Sequence, residues 1–248
     1  MKNLSYLKPL LLFFCLGLLI TSLSRFFLFI YFFDRVSETK DYWYIFPIGL
    51  RFDVILLSYI AFLPFVLLTI IPEKFLNYIQ KPISFYFLFF LFLILLTEIT
   101  SVNFINQYDT RPNRIYIDYL IYPKEVFGTL LKSYFQSLIF TIFCLLIGVY
   151  FGIKKSKQLF KIEPKPLKMR LILMPIILFL LIFGARSSLT SKRPINASNA
   201  IFSTDQMTNS LGLNSLYTLG FAIYSIKNET DISKLYGKMD IEEANNRV

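Results

Sequence analysis

The sequence predicts an all-α polytopic membrane protein with five transmembrane helices, a short interfacial helix and an extracytoplasmic helical linker. Three observations lead there. Of 248 residues, 55% are hydrophobic and 18% aromatic, above the apolar share of an ordinary soluble domain. Five apolar runs each supply the roughly 20 helical residues needed to cross a hydrocarbon core of about 30 Å. The basic residues, finally, concentrate on alternate loops.

The runs lie near 9–33, 44–71, 83–102, 134–153 and 171–185. The first is too long, and too poor in small residues at its end, for a cleaved signal peptide, so it stays as a helix. The Leu12-Phe13-Phe14-Cys15 stretch lacks the small residues that precede a lipidated cysteine. Cys15 and Cys144 both fall inside spans, where they read as lipid-facing or packing residues rather than as a disulfide or a thiolate metal site.

Between the fourth and fifth spans, KKSKQLFKIEPKPLKMR (154–170) carries seven Lys or Arg and one acid. The positive-inside rule makes this loop cytoplasmic. Lys2, Lys8, Lys74 and Lys81 then lie on the same side, giving eleven basic residues inside against six in the outer loops 34–43 and 103–133, where six acids offset them. The N-terminus is therefore expected in the cytoplasm. Residues 1–186 form the membrane domain, and 187–248 emerge on the far side as a linker with no further span. The basic loop reads as a topology signal that contacts anionic lipid, not as a nucleic-acid site.

Four ionisable residues sit inside spans: Arg25, Arg51, Asp53 and Glu98. Counted along each helix, all four fall in the outer leaflet, two cations and two anions. Arg51 and Asp53 are about 200° apart around the helix, so each needs a partner elsewhere. One reading is an interhelical clamp, Arg51 with Glu98 and Arg25 with Asp53, because an unpaired charge in hydrocarbon costs several kcal/mol. Another is a headgroup site in which an arginine meets a lipid phosphate. A clamp that orients an arginine for a ligand combines the two.

The loop NFINQYDTRPNRIYIDYLIYPKEVFGTLLKSYF (103–135) mixes Tyr116, Tyr119 and Tyr122 with charges, as suits an interface or an aromatic belt. A short helix over 123–133 is expected to lie on the outer surface. Further on, Pro194, Asn196, Ser198 and Asn199 predict an extended, turn-rich stretch before a helix near 204–225. Its apolar members, among them Ile201, Met207, Leu211 and Leu219, require a partner surface.

Arg-Phe-Asp near the start of span two (51–53), YPKEVF at 122–127 and SKRPINASNAIFSTDQMTNSLGLNSLYTLGFAI at 191–223, set behind five spans, together resemble the membrane half of lipoteichoic-acid-synthase-like proteins. These are sulfatase-fold phosphoglycerol or phosphoethanolamine transferases of bacterial envelopes. The resemblance implies a bacterial cytoplasmic (inner) membrane and a donor phospholipid such as phosphatidylglycerol. It further implies a following extracytoplasmic α/β domain with a threonine nucleophile and a manganese or magnesium ion held by acids and a histidine. The RPIN segment would be the linker that descends from span five against that domain. Arg51 is the first candidate for donor contact, with Arg25, Asp53 and Glu98 shaping its surroundings.

No histidine occurs in the chain, and the sequence stops at Val248, where that domain is expected to begin. No metal or cofactor is therefore expected within these residues, and none of Thr190, Thr204, Thr208 or Thr218 qualifies as the nucleophile. Asp240, Glu242 and Glu243 read as solvated rather than as a metal cage. Neither a P-loop nor a dinucleotide-binding glycine pattern is present, and a carrier is disfavoured by the lack of internal repeats. The alternative is a non-catalytic membrane subunit whose tail docks a partner protein.

Overall fold

The structure, a computed structural model, describes residues 2–187 and 195–228. Thr190, Lys192, Arg193, Pro194 and the acids Asp240, Glu242 and Glu243 lie outside the described residues. The chain is an all-α polytopic membrane protein, and among the described residues five helices are long and apolar enough to cross a membrane. They are α1 (Lys8–Tyr31), α3 (Ile45–Ile70), α4 (Glu73–Tyr108), α7 (Phe135–Leu159) and α8 (Leu167–Arg186). Shorter helices α2 (Phe33–Ser37), α5 (Arg114–Leu120) and α6 (Pro123–Ser133) join them, and α9 (Gln206–Leu211) and α10 (Ser215–Lys227) form the tail.

The spans pack as a row in which α8 lies on α3, α3 on α1, α1 on α4 and α4 on α7. Helix α3 is central: 61% of its apolar window is buried inside the protein, against 6% for α7, whose remaining apolar surface suits lipid. Small residues set the close approaches, as is common between helices in lipid. A Cβ on Gly17 would lie 2.4 Å from Leu57, and one on Gly184 would lie 2.4 Å from Ser58 Oγ. On α1 the buried positions Pro9, Phe13, Gly17, Thr21, Arg25 and Phe29 form one i+4 ridge. On α4, Phe87, Leu91, Ile94, Glu98, Ser101 and Ile105 alternate by four and three.

Pro64 lies inside α3 and removes the N–H that Ile60 O would accept. Tyr86 on α4 donates its hydroxyl to that carbonyl at 2.9 Å, so the loss is made good across the helix interface.

Two expectations need correction. The third span does not begin at 83: α4 runs unbroken for 36 residues from Glu73 and contains Pro82. Pro72 starts the helix as its N-cap, and buried Leu76 and Ile83 anchor it on both sides of Pro82. At 1.5 Å per residue its length is about 54 Å, more than a hydrocarbon core of about 30 Å requires. The tail helix expected over 204–225 is two helices, broken at Gly212–Asn214, where the Asn214 side chain caps α10 by accepting from Tyr217 N at 2.8 Å. The helix expected over 123–133 is α6.

The helix ends at the 71–73 and 159–167 connections are also closed by charge. Buried Arg170 donates to Leu68 O at 2.6 Å and to Lys165 O at 2.9 Å, placing a cation on the C-terminal carbonyls of α3. Glu73 accepts from Leu167 N at 3.1 Å, placing an anion at the start of α8.

Candidate functional site

At the opposite end, where the tail docks, GLRFD explains itself residue by residue. Gly49 and Asp53 are one helical turn apart and share the face of α3 that meets α1. The Arg25 guanidinium lies directly over Gly49, where a Cβ would come within 2.0 Å of Nε and 2.2 Å of Cζ. Having crossed the glycine, it reaches Asp53 in a bidentate pair of 2.8 and 2.9 Å, the geometry for which guanidinium and carboxylate are matched. Arg25 is 2% exposed and Asp53 0%.

The tail completes the pair. Arg25 Nε donates to Leu211 O at 3.2 Å, and Asn214 Nδ2 donates to Asp53 Oδ1 at 3.0 Å. Leu211 is the last residue of α9, so a buried cation meets a helix C-terminal carbonyl.

A second pair lies alongside. Glu98 of α4 accepts from Arg111 Nη1 at 2.6 Å and from Ser24 Oγ at 2.5 Å through one oxygen, and from Ser215 N at 2.8 Å through the other. Ser215 opens α10, so here a buried anion meets a helix N-terminal amide. Arg111 also donates to Ser215 Oγ at 3.0 Å. The junction 211–215 is thus held between two oppositely polarised ion pairs whose charges cancel, in surroundings where each charge alone would be costly.

Nearer the surface, Arg35 bridges Asp109 at 2.5 Å and Asp205 at 2.8 Å. Both carboxylates raise the pKa of Arg35 above its ordinary value, the Asp109 hydrogen bonds most. Burial acts to raise the pKa of Asp205, but the Thr208 backbone amide and Arg35 outweigh it and hold the carboxyl below its usual value.

Arg51 stands apart from the other three expected site residues. It faces away from Asp53, is exposed, and donates to Ser187 Oγ at 2.7 Å and Ser187 O at 3.0 Å. Ser187 ends α8 in a left-handed conformation, φ 53°. Beside it, between α3 and α8, opens an apolar groove of about 530 Å³ walled by Ser58, Tyr59, Phe62, Leu181, Ile182 and Arg186 among others.

The expected pairing of Arg25 with Asp53 is present; that of Arg51 with Glu98 is not, because Arg111 takes Glu98. Hydropathy cannot find Arg111, which lies in the loop beyond α4 and reaches back into the helix ends. Asn214 was equally hidden, although its place ahead of Ser215 carries the N-cap signal.

Among the described residues no three His, Cys, Asp or Glu side chains gather as a metal site. Thr208 and Thr218 are buried and Thr204 exposed, none beside such a cluster. No family model and no solved structure matches the chain.

Proposed function

We propose that this chain is the membrane and linker portion of a bacterial-envelope phosphoglycerol or phosphoethanolamine transferase of the sulfatase superfamily. It holds a donor phospholipid such as phosphatidylglycerol in the outer leaflet of the cytoplasmic membrane, with the N-terminus in the cytoplasm and the tail outside. The catalytic α/β domain, with its manganese or magnesium ion, follows residue 248 in the cell. One observation carries the reading for donor lipid: Arg186 lines an apolar groove between α3 and α8, and Arg51 donates to Ser187, the residue that follows it, at the same end of the bundle to which the tail is locked. A phosphate would sit against the arginine charge and an acyl chain along Tyr59, Phe62 and Ile182. Arg25, Asp53 and Glu98 shape this end by fixing the tail.

The first measurement is the intact mass of the protein isolated from its source cells with an antibody against the tail. A mass far above 29.2 kDa supports a following domain, and a mass equal to it counts against one. In the full-length protein, release of diacylglycerol from labelled phosphatidylglycerol should require the divalent metal. Arg51→Ala should lower that rate by about tenfold or more at unchanged folded yield, as for loss of one charge-assisted contact. Equal loss of fold and rate would leave Arg51 as a cap on α8 alone.

Exposed Ile223 and Tyr224 on α10, 58% and 66% accessible, favour a second reading, a non-catalytic subunit whose tail docks a partner protein. Stable co-purification of one separate protein with a chain of 29.2 kDa would select it.

A further inference from the structure

Among the described residues, Arg25 and Arg111 are the two buried arginines at the tail end, and they differ in one respect. All three nitrogens of Arg25 are engaged, by Asp53 and Leu211. Arg111 is 1% exposed, yet only Nη1 is engaged, by Glu98 and Ser215; Nε and Nη2 are buried with no hydrogen-bond partner. Those two atoms make up one edge of the guanidinium, with parallel N–H groups spaced to meet two oxygens of a single oxyanion. A buried donor pair left unmatched by the protein asks for an acceptor from elsewhere.

A cavity lies alongside, and because Nε and Nη2 have almost no accessible surface an anion reaches them by displacing side chains of its wall. Arg111 is part of the wall of a cavity of about 440 Å³ between the α5 region and α10. Asn113 and Arg114 bring further polar groups to that wall, and Leu213, Phe221, Ala222 and Ile226 make the rest apolar. This cavity shares no wall residue with the groove between α3 and α8. Glu98 binds only Nη1 and so leaves the Nε–Nη2 edge without an acceptor, while Arg114 adds a second cation to the cavity wall.

We propose that Arg111 and this cavity form a phosphate-ester site separate from the Arg51 groove, with the phosphate on the Nε–Nη2 edge and the organic part against Leu213, Phe221 and Ile226. The phosphate belongs either to a lipid headgroup or to a small soluble ester, and the same chemistry serves both. Binding is read directly, so it stands or falls independently of any transferase activity.

The test uses the full chain in an uncharged, phosphate-free detergent. Binding of glycerol 1-phosphate and of micellar short-chain phosphatidylglycerol is followed by calorimetry and by ³¹P line broadening, for the wild type, Arg111→Lys and Ser225→Phe. Lysine keeps a charge for Glu98 but has no second parallel donor, so affinity should fall about tenfold or more, the equivalent of one charge-assisted hydrogen bond. Ser225 is exposed at the cavity wall; phenylalanine there narrows the cavity without touching Arg111 and should weaken binding too, which decides the matter if Arg111→Lys fails to fold. Binding that the variants weaken supports the site: of the soluble ester alone it identifies a free phosphate ester, of the micellar lipid alone a headgroup. No binding of either probe, or binding that both variants leave unchanged, overturns it.

Discussion

Gly49 is the residue on which the tail end of the bundle turns. Because the Arg25 guanidinium occupies the space of its missing side chain, Gly49→Ala must displace either the arginine or the helix. Displacing the arginine leaves Asp53 buried without its counter-charge, so a loss of about 3–5 kcal/mol is expected, read as thermal unfolding in detergent. Gly220 supplies the contrast. It is helical in α10, exposed, and a Cβ there meets nothing within 4 Å, so Gly220→Ala should be neutral or stabilise by about 0.5–1 kcal/mol through helix propensity. A Gly49→Ala protein as stable as the wild type would remove the crossing from any structural role. Sequence alone exposes the anomaly of a charged GLRFD inside an apolar run. It does not reveal that glycine and aspartate face inward while Arg51 faces out, since that depends on which neighbour each face meets.

Among elements, α9 is held most visibly by charge. Asp205 caps its N-terminus, accepting from Thr208 N at 2.7 Å, and also receives Arg35. Its folded-state pKa lies below the ordinary aspartate value of about 3.9, so the unfolded tail binds a proton more readily than the folded one. The stabilisation is therefore complete above about pH 5, declines as pH falls through the ordinary value and is gone below the folded one. Protection factors over 203–211, which divide out the intrinsic pH dependence of amide exchange, should fall below about pH 4 and stay flat on the alkaline side; a fall that Asp205→Asn leaves untouched would point to another group. The five spans and the helix over 123–133 were legible from hydropathy, because lipid-spanning helices need long apolar runs, whereas α2, α5 and the division of the tail into α9 and α10 were not. The extension of α4 to Glu73 was not, since a polar stretch with a proline reads as a loop until buried Leu76 is seen to anchor it.

For the molecule as a whole, the tail is part of the bundle's polar interior and not an appendage to it. Glu98→Gln tests this: Arg111 would remain buried beside a neutral partner, a penalty of about 3–5 kcal/mol. Residues 206–227 should then exchange faster while the α3–α8 crossing, built on Gly184 and Ser58, keeps its protection. Uniform loosening of all helices would refute a localised lock. A sequence search for intramembrane charge finds three members of this lock and misses the fourth, because Arg111 enters from a loop.

The lock also imposes an order on synthesis. Arg25 and Asp53 are 28 positions apart and Glu98 and Arg111 are 13, so each pair can meet soon after its helices enter the bilayer. Their tail partners come much later: Leu211 lies 186 positions beyond Arg25, Asn214 lies 161 beyond Asp53 and Ser215 lies 117 beyond Glu98. A ribosome adding roughly 5–20 residues per second takes many seconds to supply them. Throughout that interval the nascent bundle carries half-satisfied charges at its mouth, and a chaperone or quality-control protease that monitors membrane insertion would meet it there.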